Sequence, residues 1–503
     1  MNFTYFPKLI FFGRFWPFFI LGVNLSLGQM PFDLPFISVL TFVILGWLWQ
    51  KYKPSPGRAA IWGFGLGLGY FAPTLSWIIH PFMIKPGETG WIAPFAFVTL
   101  VVILAFLFLS AFYLASSFGS QVGSFKRLIL LWVFLTFTEI IRSSFLLSFP
   151  WPLISAIWIN TPISQSLSIF GPYWLSSITI FAGLIISRPI GGTIFGIVIF
   201  AILFGFGYSR LSEPAEQEAE VVTLKIIQPN IRQAEKWLPE KQLEFFTRQI
   251  NLSKKMPEAD IVIWPETAVA FSIENNTIFV KRIVDSGKLN VILGARRFEK
   301  DNYSLFNSAY FLSAKGDVVA IYDKNRLVPF GEYVPFAKLF SKLGIFGLAS
   351  NGITGFTEGK TKKTIALKNL PPVLTLICYE AIFTSDVDSG NNSAKWILQL
   401  TNDAWFGTFN GPQQHLALAR MRAIEQGIPL IRAANTGISA IIDSYGRLVS
   451  KLPMNRSGVL DGNLPEAKSD TIYSHFGAVF LNIILVFLLL LTICWVIIMS
   501  RRS

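Results

Sequence analysis

Three apolar runs in this chain stop abruptly on side chains that can do chemistry. Leu374–Ile377 ends on Cys378-Tyr379-Glu380. Ile261–Trp264 ends, through a proline, on Glu266. Val318–Tyr322 runs into Asp323-Lys324-Asn325-Arg326 and then into the turn-like Pro329-Phe330-Gly331-Glu332. Taken singly, each has an ordinary explanation: a free thiol used as a small core hydrophobe, a strand-end carboxylate, a solvated charge run. Taken together they place a thiol, a carboxylate and an ammonium at strand exits, where a sheet presents side chains to its loops. Those are the parts needed for acyl transfer through a covalent thioester.

The elements that carry them belong to a chain of mixed character. Its 503 residues exceed one ordinary core, and with 52% hydrophobic and only 15% charged residues the composition is that of a membrane protein. Mean hydropathy is +0.50. Residues 1–211 predict seven spans, near 9–28, 31–50, 59–80, 92–115, 127–147, 164–187 and 190–208. An eighth lies within 474–499, as the apolar run Val479–Met499, so about eight spans form a polytopic helical bundle. The first holds Arg14 and is not a cleavable signal.

The formal net charge of +13 lies largely in short segments beside these spans, which speaks for orientation rather than nucleic-acid binding. Lys51, Lys53 and Arg58, then Lys126 and Arg127, then Arg188, follow alternate spans and place those loops in the cytoplasm. The acidic connector 212–220 then begins on the opposite side, followed by 221–465, whose short β-rich runs and helical patterns (Lys241–Lys255, Gly411–Glu425) predict an α/β domain. With Cys378 and Cys494 as the two cysteines, no disulfide framework exists, and Cys378 is an unpaired thiol in an exported domain. No residue cluster has metal-site spacing, and His80, His415 and His475 read as structural.

Trp264-Pro265-Glu266, Lys324 with Pro329-Phe330-Gly331-Glu332, and Cys378-Tyr379-Glu380 resemble the Glu-Lys-Cys triad of the nitrilase, or carbon-nitrogen hydrolase, superfamily. With flanking spans, the whole chain resembles the apolipoprotein N-acyltransferase family. Gln228-Pro229-Asn230 with Trp237, Phe149-Pro150-Trp151 after Glu139 and Arg142, Asn402–Gly407 and Arg432–Ser439 add to the likeness. Pro229 departs from it, standing where glycine is expected.

The resemblance implies an α-β-β-α sandwich on the periplasmic side of a bacterial cytoplasmic membrane, working as a monomer without a cofactor. It also implies acyl transfer from a phospholipid to the α-amine of an S-diacylglyceryl cysteine, the N-terminus of an apolipoprotein. In that scheme Cys378 is the nucleophile, Glu266 the base, and Lys324 stabilises the oxyanion and lowers the thiol pKa. Glu332, Tyr379 and Glu380 support them, and Trp237 contacts substrate. Phe336, Leu339, Phe340 and Leu343 fall at i, i+3, i+4 and i+7, predicting a short amphipathic helix before Phe346. Phe336, Leu339, Phe340 and Phe346 are therefore further candidates for contact with acyl chains or the lipid surface. Two other readings compete: a membrane-anchored amidase with water as acceptor, and a transporter or scaffold carrying an inactive enzyme domain.

Overall fold

The computed structural model describes residues 6–501 except 121, 144–147, 214–221, 275–276, 287–289, 302, 336–347, 349–354, 362, 369, 388–393 and 469. Two compact units emerge, one of residues 1–79, 91–213 and 471–503, the other of 80–90 and 214–470.

The second unit is built on two six-stranded sheets. One runs in the order β12-β1-β2-β3-β4-β5 and the other β11-β10-β9-β8-β7-β6. The first contains β1 (Thr223–Gln228), β2 (Ile261–Ile263), β3 (Asn290–Glu299), β4 (Ser304–Leu312), β5 (Val318–Asp323) and β12 (Gly458–Asn463). The second contains β6 (Thr364–Leu367), β7 (Leu370–Ile377), β8 (Trp396–Thr401), β9 (Leu430–Ala434), β10 (Ser439–Ile442) and β11 (Leu448–Leu452). β1, β2 and β3 are parallel to one another, as are β7, β8 and β9. Buried parallel strands should read as continuous apolar runs, and Ile261-Val262-Ile263 and Leu374–Ile377 do.

Each sheet has its own core. Phe246 and Ile250, on the helix Pro239–Ser253, join Val262, Trp264, Leu293 and Tyr310 under the first sheet. Leu416, Ala419 and Ala423, on the helix Gly411–Gln426, join Leu374, Leu376, Ile397 and Leu430 under the second. Fully burying one such leucine or isoleucine stabilises the fold by roughly 1.5–3 kcal/mol. Polar contacts tie the sheets together: the Gln228 amide donates to the Pro453 and Arg456 carbonyls, while its oxygen accepts from Ser439. The layers are thus helix, sheet, sheet, helix.

Among its described residues the first unit contains eight long helices: Phe6–Ser26 (α1), Pro35–Tyr52 (α2), Pro56–Thr74 (α3), Ala93–Phe118 (α4), Ser124–Ser143 (α5), Leu167–Ile186 (α6), Gly191–Leu211 (α7) and Ile472–Arg501 (α8). Four stretches are long and apolar enough to cross a membrane by length and composition: 86–118, 162–186, 191–211 and 472–499. Among the described residues α1 offers the shorter apolar stretch Phe15–Ser26. α2 ends on the polar Gln50-Lys51-Tyr52, α3 is glycine-rich, and α5 carries Lys126, Arg127, Glu139 and Arg142. The glycines of α3 have a packing purpose: Gly69 meets the α1 backbone at Phe19 and Gly22, while Gly67 meets Ala105 of α4.

Arg127 departs from the expected loop. It lies in the first turns of α5, is buried, and donates to the Gly119 carbonyl at 3.0 Å and the Pro54 carbonyl at 2.9 Å. A guanidinium that satisfies the carbonyls of helix ends is held by geometry as well as by any membrane potential.

A second buried charge set supports a non-helical stretch. Glu139 and Arg142 pair at 2.8 Å with essentially no exposure. Arg142 also donates to the carbonyls of Phe149 and Pro152, and the Ile154 N–H donates to Glu139 at 2.8 Å. Gln29 donates to the Leu153 carbonyl at 2.8 Å and to the Tyr70 hydroxyl. Irregular backbone inside an apolar bundle needs such partners, because each unpaired peptide group there costs several kcal/mol.

Candidate active site

Topology brings two of the three strand exits to one side of the first sheet. β3 is antiparallel to β4, and β4 to β5, so β5 points the same way as β2. Glu266 and Lys324 therefore leave the sheet together, and the Lys324 N–H continues the ladder to the Asn307 carbonyl at 2.9 Å. Cys378 leaves β7 of the second sheet at φ +52°, opening a 3-10 turn over Cys378–Ile382. A non-glycine residue in that region stores about 1–3 kcal/mol, which surrounding contacts must hold.

The charged groups converge. Lys324 Nζ lies 2.8 Å from Glu332 Oε2 and 3.7 Å from Glu266 Oε1, and its side chain is 1% exposed. Asn307 Nδ2 donates to Glu266 Oε1 at 2.7 Å and to Glu332 Oε1 at 3.0 Å, bridging the two carboxylates. The Val328 N–H donates to Glu332 Oε2 at 2.9 Å. Glu332 is thereby fixed by three donors. Glu266 is fixed by one neutral amide and a more distant ammonium.

Electrostatics corrects one expectation. Burial alone would lower the Lys324 ammonium, yet Glu332, Glu266 and Cys378 reverse this and hold it above its ordinary value. The Cys378 thiol is raised, not lowered. Burial is the largest cause, Glu266 and Asp403 add to it, and Lys324 and the Thr401 hydroxyl only partly offset it. The desolvation of a buried thiolate outweighs one nearby cation, so the resting group is a thiol.

Glu380 is a fastener. Its Oε1 accepts from the Tyr322 hydroxyl at 2.7 Å and from the Asn325 and Arg326 N–H groups at 2.8 and 3.2 Å. Its Oε2 accepts from the Ile377 N–H at 2.7 Å. It ties the loop after Lys324 to the turn at Cys378, one sheet to the other. Tyr379 is buried with its ring edge-on to Phe383 at 5.0 Å, and burial raises its phenol.

Behind Cys378 lies a group of residues that motif reading leaves unconnected. Gln399 Nε2 donates to the Cys378 carbonyl at 3.1 Å. His415 Nδ1 lies 2.9 Å from Asp403 Oδ1, and its Nε2 lies 3.1 Å from Gln399 Nε2. Arg432 donates to Asp403 Oδ2 at 2.6 Å and to the Gln399 carbonyl oxygen. Burial and then Arg432 lower His415, which keeps it neutral. Nδ1–H donating to Asp403 and Nε2 accepting from Gln399 then satisfies both ring nitrogens. Burial would raise the Asp403 carboxyl, but Arg432 and His415 hold it well below the usual range. This cluster clamps the carbonyl of the strained Cys378 turn.

Sequence reasoning also misses Lys236 and Asn307. Lys236 Nζ donates to the Glu266 carbonyl at 3.1 Å and to Thr267 Oγ1 at 2.7 Å. The available signals are faint: an asparagine inside the apolar strand Phe306–Leu312, and a lysine beside Trp237. Trp237 itself is half-buried, with the Arg296 guanidinium stacked 3.6 Å from its ring centre. The predicted helix holding Phe336, Leu339 and Phe340, and Phe346 beyond it, lie outside the described residues.

Residues 223–471 match the family model for carbon-nitrogen hydrolases, and residues 21–185 match that for the apolipoprotein N-acyltransferase N-terminal domain. Among curated proteins, apolipoprotein N-acyltransferase of Rhodopseudomonas palustris is 34% identical over 494 residues, covering 91% of this chain and 90% of that protein. The enzyme of the same name from Rhizobium meliloti is 34% identical, covering 89% of each. Among solved structures, an amidase from Nesterenkonia, of the nitrilase superfamily, aligns at 16% identity and a TM-score of 0.40. That alignment covers 53% of this chain and 97% of the amidase.

Proposed function

Because this chain belongs to the apolipoprotein N-acyltransferase family, we propose that it moves an acyl chain from a phospholipid to the α-amine of an N-terminal S-diacylglyceryl cysteine. The carrying observation is the Lys324 ammonium held 2.8 Å from Glu332 and 3.7 Å from Glu266, in electrostatic contact with Cys378.

In the first half-reaction Glu266 takes the thiol proton as Cys378 Sγ attacks the ester carbonyl. The oxyanion gathers between Lys324 and the Tyr379 N–H, where preorganised donors are worth most. Collapse breaks the ester C–O bond, Glu266 returns the proton to the departing alkoxide, and a lysophospholipid leaves. In the second, the α-amine attacks the thioester, Glu266 takes its proton and passes it to the Cys378 sulfur as the C–S bond breaks, restoring the thiol and the carboxylate. The kinetics are ping-pong. Glu332 keeps Lys324 charged and in place, and Glu380 positions both loops.

The membrane part of the proposal has eight helices crossing, both termini cytoplasmic and residues 221–465 outside, with the monomer as the working unit. Its support is the eight helices of the first unit and the basic residues between them.

The test offers purified enzyme a radiolabelled phospholipid with a diacylglyceryl peptide or with water alone. Rapid label transfer to the peptide amine, with slow release of free fatty acid, is expected. Fast fatty-acid release with an unmodified peptide would instead make the enzyme a hydrolase.

A further inference from the structure

Among the described residues Lys236 stands apart from the other buried cations of the second unit, Lys225, Lys324, Arg422 and Arg432, which all pair with a carboxylate. Its side chain is 5% exposed, and its nitrogen touches two neutral acceptors, the Glu266 carbonyl and Thr267 Oγ1. Among the described residues no carboxylate lies within ion-pair distance of it, whereas Lys225 has one and Lys324 two. An uncompensated buried ammonium is costly, and its place against the Glu266 peptide is specific. Thr267 adopts φ +46°, so the backbone turns through the left-handed region immediately after Glu266. Beneath that turn a Cβ at Gly294 would clash with the Glu266 and Thr267 backbone. The turn is therefore fixed from below by β3 and from the other side by Lys236.

We propose that Lys236 is a positioning residue for the base, bracing the strained Glu266–Thr267 turn and placing a cation behind the Glu266 carboxylate. This rests on the function proposed above and deepens it by adding a second lysine with a task distinct from that of Lys324. Lys324 faces the carboxylate oxygens; Lys236 holds the backbone from which the carboxylate hangs. The groups facing Lys236 are Glu266, Arg296 from β3 and Cys378 from the exit of β7. Those facing the Glu266 carboxylate are Lys324, Asn307 and, through them, Glu332. Burial is the main cause that pulls Lys236 down to about 7, with Arg296 adding and Glu266 and Cys378 opposing. It therefore changes charge near pH 7, so the wild-type rate profile carries an inflection there that an uncharged side chain at this position removes.

The experiment measures timed acyl mass on the Cys378 peptide, with phosphatidylethanolamine in detergent micelles, across pH, for full-length wild type, Lys236→Met and Lys236→Arg. Thermal melting is recorded for each. Lys236→Met should slow acylation by about tenfold to a hundredfold, as expected of a misplaced catalytic group, and lose the inflection near pH 7. Lys236→Arg keeps a charge at every pH but not the compact reach, so it should lose rate and also lack the inflection. Folded variants with wild-type rate and pH profile would overturn the inference. So would a Lys236→Met enzyme whose only change is a lower melting temperature, since that is a purely structural brace. A wild-type enzyme that gains no acyl mass would strike the proposed function instead, a separate failure.

Discussion

Glu139 with Arg142 in the helical unit and Glu266 with Lys324 in the α/β unit are both buried carboxylate–cation pairs, but they are held differently. Both oxygens of Glu139 are spoken for: one by two guanidinium nitrogens, the other by the Ile154 N–H. Arg142 also donates to the carbonyls of the irregular 149–152 stretch. Glu266 accepts one hydrogen bond from Asn307 and faces Lys324 at 3.7 Å. A carboxylate whose oxygens are both filled by fixed donors is built to hold backbone in place, and one held by a single amide keeps acceptor capacity for a further partner. Glu380, with four donors, belongs with Glu139 although it sits two residues from Cys378. In the proposed mechanism the base is therefore Glu266, whose hydrogen-bonding capacity is unfilled, and not the nearer-in-sequence Glu380.

The largest effect expected from this contrast is on Glu266. Glu266→Gln should slow Cys378 acylation by about 10²–10⁴, the range of general-base catalysis, while melting stays near wild type. Equal loss of melting and of rate would put Glu266 in the same class as Glu139.

Next is Lys324→Arg, which preserves charge but spreads it over a longer planar fork. Thioester formation should fall by about 10²–10³, the usual cost of losing an oxyanion donor. Near-wild-type acylation would return Lys324 to a purely structural ion pair.

The helical-unit pair should behave in the opposite way. Arg142→Met leaves Glu139 buried without its cation, and breaking such a pair typically costs about 3–5 kcal/mol. Yield and melting temperature should drop, while the acylation rate per folded molecule is retained. A stable, inactive Arg142→Met enzyme would erase the contrast and give the pair a chemical task.

These expectations follow from contacts only partly legible in the sequence. Ile261–Trp264 and Leu374–Ile377 are readable because buried parallel strands are nearly uninterrupted apolar runs, and Ile397–Thr401 is readable despite Gln399, which is uncharged. Leu430–Ala434 is not, since Arg432 interrupts it, and only the fold brings Asp403 to neutralise that charge. The sheet-edge strands β6, β11 and β12 give equally weak signals. Thr364–Leu367 is only half covered, Leu448–Leu452 exposes every second residue, and Gly458–Asn463 carries two glycines and an aspartate. The strand exits at Glu266, Lys324 and Cys378 are visible as abrupt stops. The roles of Asn307 and Lys236 are not, because their partners lie 41 and 30 residues away in sequence. The thiol's raised pKa is hidden too, since burial is a property of the whole fold.

The smallest effect is the most specific to that last point. Because burial holds Cys378 protonated, its alkylation by iodoacetamide in the resting enzyme should keep rising beyond about pH 9, past the ordinary thiol value of about 8.5. A rate that levels off below about pH 7 would mean a preformed thiolate and no need for Glu266 as base.

The most direct measurement is the mass of the Cys378 peptide after incubating wild type, Glu266→Gln and Cys378→Ala enzymes with phosphatidylethanolamine. One acyl mass on Cys378 is expected in wild type, removable by hydroxylamine, with a strongly delayed gain in Glu266→Gln and none in Cys378→Ala. An acyl group on another residue, or peptide acylation by the Cys378→Ala enzyme, would contradict the thioester route.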